Sequence, residues 1–301
     1  MTGAARVTTK RPGGAKCYDL CLLLRLKKLE THMSTKGSLL TEDFFIRAAG
    51  HKLRVRRLTH PGNDGQDSRP TLVFLHEGLG SVEMWHDFPQ VLLEKTGCNG
   101  LLYDRWGHGK SDPINVQRTL QYVHDEALDT LPEVLENSGV EGSILIGHSD
   151  GGSIALIFAA EYPGSVRGLI TEAAHVFVEE ITLEGIREAV ITYQTTDLKK
   201  KLARYHDSNT EVIFKAWCET WLSPEFKHWN IEDCLPRVTC PVLVIQGQDD
   251  QYGTEAQVES IAGRVAGPAK PLLIPDCAHI PHKEATDRVI KEMTEFILGL
   301  L

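Results

Sequence analysis

Three residues far apart in this chain have the types needed to act together on a carbonyl carbon. Ser149 lies in "GHSDGG", Asp250 in "IQGQDDQYG" and His279 in "CAHIPHKE". A serine hydroxyl is a weak nucleophile until a neighbouring base takes its proton. Imidazole titrates near neutral pH and can be that base, while a carboxylate fixes its tautomer and stabilises the imidazolium. Glycines at 147, 151 and 152 leave space for close backbone approach around Ser149, as a sharp strand-to-helix turn requires. The oxyanion of a tetrahedral intermediate needs preorganised donors. The Asp150 N–H, at the expected helix start, is one candidate, and an N–H of the 76–80 loop, best Gly78, is the other.

The surrounding pattern must bring these residues to one edge. "PTLVFLH", "NGLLYD", "GSILIGHS", "VRGLITEAA", "CPVLVIQG" and "KPLLIPD" read as strands, most of them fully apolar and separated by amphipathic helical stretches. "FFIRAA" and "KLRVRRL" read as an opening hairpin around Gly50. The fold class expected is α/β: a mostly parallel central sheet flanked by helices, with active-site residues beyond the C-terminal strand ends. From about His175 to Pro236 no strand pattern occurs, and the segment reads as a helical insertion. This divides the chain into a core of 41–175 and 237–301 and a helical cap of 176–236. Among strand-end residues, Asp249 and Glu172 compete with Asp250 as the acid, and His282 competes with His279 as the base.

Five segments in order, "LHEGLGSVEMW", "YDRWGHGKSD", "GHSDGG", "IQGQDDQYG" and "CAHIPHKE", together resemble the α/β-hydrolase family, in its serine-esterase and meta-cleavage-hydrolase branch. The resemblance runs from about residue 43 to the C-terminus. It implies a triad of Ser149, Asp250 and His279, an oxyanion hole of Gly78 and Asp150, a cap over the site and no cofactor. Most relatives carry His-Gly before the oxyanion residue, where this chain has Glu77. The Asp after the nucleophile is shared with relatives of the valacyclovir-hydrolase type, which cleave amino-acid esters. Glu77 and Asp150 would then favour an amine-bearing or neutral substrate over an anionic one. The bland alternatives are a helix N-terminal charge for Asp150 and a salt bridge to an Arg or Lys for Glu77. Trp217, Trp221 and Trp229 are expected to pack within the cap, some of them lining a substrate pocket. The activity expected is hydrolysis of a small carboxylic or amino-acid ester. Carbon–carbon hydrolysis of a dienoic ring-cleavage product and a non-catalytic binding role are the alternatives.

Composition excludes other classes. The net charge of −9 argues against general nucleic-acid binding. No apolar stretch approaches the roughly 20 residues of a membrane helix. "GHGKS" at 107–111 would need glycine at position 104, which is Asp104, so the phosphate-loop pattern fails. Neither dinucleotide nor metal-ligand spacing occurs, so no cofactor and no metal are expected. Seven cysteines without a C-x-x-C pair suit free thiols in a reducing compartment. Residues 1–40 carry eight Lys/Arg against Asp19 and Glu30. They are expected to be a disordered extension or a targeting segment, giving a cytoplasmic location, or the mitochondrial matrix if they form a transit peptide. The expected partner is a small-molecule ester; oligomeric state is left open.

Overall fold

The computed structural model describes residues 39–61, 69–115 and 118–301. The basic extension and most of the polar stretch 61–70 therefore lie outside the described residues. The chain opens with β1 (Leu40–Ala48) and β2 (His51–Thr59), an antiparallel hairpin that turns at Ala49 and Gly50, both at positive φ. That conformation matches the twist of the flanking strands. β3 (Thr71–Leu75), α1 (Phe88–Thr96) and β4 (Gly100–Tyr103) follow. Next come α2 (Tyr122–Asp125), a π-helical turn at Glu126–Thr130 and α3 (Leu131–Asn137). The sequence reads as one helix there, and Pro132 supplies the reason for the break: it has no N–H for the ladder, and the turn before it widens.

β5 (Ser143–His148), α4 (Asp150–Glu161) and β6 (Val166–Glu172) form the centre of the sheet region. Three helices, α5 (Glu180–Thr195), α6 (Leu198–His206) and α7 (Thr210–Trp221), then intervene before β7 (Val242–Gly247). Between β6 and β7 the described extended pairing is a single bridge, Phe177 to Asn230. α8 (Glu255–Arg264), β8 (Ala269–Ile274), α9 (Pro281–Glu284) and α10 (Thr286–Leu298) complete the chain. The eight strands lie in the order β1-β2-β4-β3-β5-β6-β7-β8, with β1, β2 and β4 paired antiparallel and every pair from β4 to β8 parallel.

A buried parallel strand must be apolar on both faces, and β5 is buried along its whole length. Its alternation divides the core. Ile144 and Ile146 join Leu72, Phe74, Val289 and Met293 on one face of the sheet. Leu145 joins Val73, Ile154 and Phe158 on the other. Burial on this scale contributes roughly 25 cal/mol per Å² of apolar surface, and it holds the strand ends that carry the site.

Candidate active site

β5 delivers Ser149 into a backbone conformation of φ 52° and ψ −118°, at the positive-φ side of the map that a residue with a Cβ rarely adopts. The flanking glycines are sterically required. A Cβ on Gly151 would lie 2.0 Å from the Leu75 carbonyl oxygen, and one on Gly147 would lie 2.2 Å from the Gly151 oxygen. The Ser149 N–H donates to the Glu172 carbonyl at 2.8 Å, which ties the turn to the end of β6.

At this turn Ser149 Oγ lies 3.0 Å from His279 Nε2. The other ring nitrogen, Nδ1, lies 2.8 and 2.9 Å from the two Asp250 carboxylate oxygens. Asp250 Oδ1 also accepts the Tyr252 N–H at 2.8 Å. Burial favours the neutral carboxyl, but the His279 ring and the Tyr252 N–H outweigh it and hold Asp250 below the usual carboxylate range. An ionised acid then orients the ring so that Nε2 presents its lone pair to the serine hydroxyl.

The competing strand-end residues occupy other places. Glu172 and His282, the alternative acid and base, bind each other: His282 Nδ1 donates to Glu172 Oε2 at 2.7 Å, behind the turn and beneath Trp85 and Phe88. Asp249 lies at the rim of the cavity, where its N–H donates to the Cys277 carbonyl at 2.9 Å. Cys277 is buried, and burial pushes its thiol up to about 12, as befits a small packing residue.

A cavity of about 250 Å³ opens above Ser149. Gly78, Trp217 and Trp221 line it, as do Glu77 and Asp150. Three consecutive carbonyls of the loop over Ser149 are engaged by neighbouring elements. Arg105 Nη2 donates to Glu77 O at 2.8 Å, His108 Nε2 meets Gly78 O at 3.1 Å, and His206 Nε2, from α6, meets Leu79 O at 2.9 Å. With its carbonyls so anchored, this loop is suited to offer N–H groups to the cavity. Asp150 opens α4, so its own N–H has no intrahelical acceptor. Gly78 is closely fitted: a Cβ would lie 2.6 Å from Trp217 Cδ1 and 3.3 Å from Asp150 Oδ2.

The Asp150 carboxylate is both a helix N-terminal charge and a paired one. Tyr122 donates to its Oδ2 at 3.0 Å, Arg105 Nη2 stands 3.5 Å away, and Trp221 Nε1 donates to Tyr122 Oη at 2.9 Å. Trp221 is therefore a pocket wall that also holds the tyrosine in place, whereas Trp229 stacks on Phe226 at 5.5 Å outside the lining. Among the described residues Glu77 makes no salt bridge to an Arg or Lys; the ring beside it is that of His148, with Nδ1 3.5 Å from Oε2. Tyr122 and Arg105 carried no readable signal beyond the latter's place after a strand end, because their role depends on where α2 packs. The described residues hold no cluster of three or more metal-ligating side chains. No described helix is long and apolar enough to cross a membrane.

Comparison with known proteins agrees with this geometry. Residues 70–238 match the family described as the alpha/beta hydrolase fold. A human serine hydrolase, BPHL, is 28% identical over 297 residues, covering 95% of this chain and 98% of its own. A proline iminopeptidase of Lactobacillus delbrueckii subsp. lactis is 33% identical over 269 residues, covering 77% of this chain and 91% of its own. Among solved structures, a Rhodococcus 2-hydroxy-6-oxo-6-phenylhexa-2,4-dienoate hydrolase superposes with a TM-score of 0.69 at 15% identity, over 85% of this chain and 98% of that one, a likeness of fold. The strand order, the strained serine turn and these matches lead to one assignment: the chain belongs to the α/β-hydrolase fold family and is a hydrolase.

Proposed function

We propose that the protein cleaves a small carboxylic ester, neutral or amine-bearing, through an acyl-enzyme on Ser149. The observation that carries this reading is the unbroken relay Ser149–His279–Asp250, whose Ser149 and His279 line the cavity. In the proposed cycle, Ser149 Oγ attacks the acyl carbon as His279 Nε2 takes its proton. The amides of Asp150 and Gly78 receive the negative oxygen, and His279 returns the proton to the leaving alcohol. Water, deprotonated by the same ring, then releases the acid.

The charge of the lining supports the substrate class. Glu77, Asp150, Asp249, Asp276 and Glu284 all reach the cavity, with no Lys or Arg among its lining residues. Such a field disfavours anionic substrates, including the two-carboxylate products of ring cleavage. Asp150 Oδ2 is occupied by Tyr122 and Arg105, and Oδ1 takes no hydrogen bond from the described residues, which leaves it to meet an ammonium group. Trp217 and Trp221, with Ile186 from α5, supply the apolar wall for the acyl side chain.

The test compares wild type with Ser149→Ala on p-nitrophenyl esters, amino-acid esters and a dienoic ring-cleavage substrate. The expected result is ester turnover that falls by several orders of magnitude in the variant. Equal activity in the two proteins would remove Ser149 from the mechanism. Turnover of the dienoate alone would replace the ester reading with carbon–carbon hydrolysis.

A further inference from the structure

One group beside the site takes no part in the mechanism above and is wholly buried: the ring of His148, the residue before the nucleophile. Its Nε2 lies 2.7 Å from the main-chain carbonyl oxygen of His279, so this nitrogen must carry a proton and donate. Its Nδ1 lies 3.5 Å from Glu77 Oε2, too long for a good hydrogen bond but within ion-pair range, and accepts nothing else among the described residues. Both nitrogens thus face acceptors. A neutral ring would turn a lone pair toward the Glu77 carboxylate inside the protein, where like-signed partial charges are poorly screened. A protonated ring satisfies both neighbours at once.

We propose that Glu77 and His148 form an ion pair at the cavity wall that positions the catalytic base: Glu77 keeps His148 as imidazolium, and His148 holds the His279 carbonyl, and so the His279 ring, at its distance from Ser149. This rests on the triad reading, and it extends that reading to Glu77. The pair links three segments that must keep register within a fraction of an ångström, namely the oxyanion loop, the serine turn and the loop carrying the base. The charges around it agree. Glu172 stands near His148 from the end of β6, and Lys283, from α9, faces Glu77. His282 adds a ring 5.1 Å away and His279 one at 5.2 Å, and burial holds His282 below its usual value. Burial opposes the charge on His148, but the Glu77 carboxylate, with Glu172 and the His279 carbonyl, outweighs it and raises the ring above the ordinary histidine value, while the contact with His148 lowers Glu77.

The pair acts through His279 and touches no reacting atom, so its signature is a pH profile. Above the raised pKa of His148 the ring loses its proton, the pair repels, and kcat falls on an alkaline limb. Glu77→Gln replaces the carboxylate with an amide that can donate to a neutral Nδ1; it is expected to abolish that limb. Glu77→Leu leaves His148 unpaired, and kcat is expected to fall on the order of 10- to 100-fold, as small misplacements of a catalytic group do.

The experiment uses the full chain, p-nitrophenyl acetate (which carries no amine), an aminoacyl p-nitrophenyl ester and ¹⁵N-histidine NMR, with the His148 signals assigned by their loss in His148→Gln. The spectrum is expected to show His148 protonated on both nitrogens at pH 7 in wild type and on one in Glu77→Gln. A neutral His148 in wild type would overturn the proposal, as would an alkaline limb unchanged in Glu77→Gln. So would an effect confined to KM for aminoacyl esters, which would make Glu77 a substrate contact. The spectrum needs no turnover, so it separates failure of this pair from failure of the esterase reading.

Discussion

Two buried carboxylate–histidine pairs flank the His148 ring, with His279 at 5.2 Å and His282 at 5.1 Å from it, and their chemistry differs little on paper. In one, Asp250 meets His279 Nδ1 at 2.8 Å; in the other, Glu172 meets His282 Nδ1 at 2.7 Å. Both histidines follow β8, His279 in the connecting loop and His282 in α9, and both acids come from the C-terminal ends of neighbouring strands. What separates them is the far side of each ring. His279 Nε2 looks onto the Ser149 hydroxyl and the cavity, whereas His282 is roofed by Trp85 at 4.8 Å and Phe88 at 5.3 Å. An acid–histidine contact becomes catalytic machinery only where a nucleophile and a space for substrate complete it. Elsewhere the same contact is a buried hydrogen bond that holds two segments together.

The comparison can be broken most severely at the acids. Asp250→Asn is expected to lower kcat by about 10⁴-fold with the fold intact, because the amide favours the wrong tautomer of His279. A steady-state assay together with a thermal unfolding scan would show this, and a loss below tenfold would mean that Asp250 is not the orienting acid. Glu172→Leu should behave in the opposite way. It leaves the His282 ring without its partner at a site 0% exposed for Glu172, and is expected to cost about 1–3 kcal/mol of stability. The kcat of the folded protein should stay within about tenfold of wild type. A kcat as low as that of Asp250→Asn would erase the distinction between the two pairs.

A smaller effect sharpens the contrast by pH. The Asp250 carboxyl is held below its usual value in the folded protein, so it contributes stability at pH above its unfolded pKa of about 3.9, and that contribution is lost as pH falls through the folded value. The unfolding midpoints of wild type and Asp250→Asn should therefore differ most above about pH 5 and converge below about pH 4. Parallel curves at all pH values would show that the carboxylate is not stabilised where it lies.

The sheet was legible from the chain because buried parallel strands have to be apolar on both faces. "SILIG", "TLVFL" and "VLVIQG" carry that composition plainly. The helix with the π turn was not, since a single Pro132 inside an amphipathic pattern does not say how the ladder around it will adjust. Glu77 stood out by its type, yet its neighbour His148 is 71 positions away in sequence, and no periodicity relates them.

Ser149, the glycines around it and the order of serine, acid and histidine were set by the sequence alone, because a strained turn tolerates few residue types and strand ends declare themselves by composition. The resemblance favoured Asp250 over Glu172 and His279 over His282, but the contacts that each of them makes show only in three dimensions. Both pairs satisfy the same local chemistry, and which ring meets the serine depends on how the loop after β8 crosses the ends of β5 to β7. The partners of Asp150 and the ion pair of Glu77 likewise arise from packing between distant segments, where burial rather than local pattern fixes which charges meet.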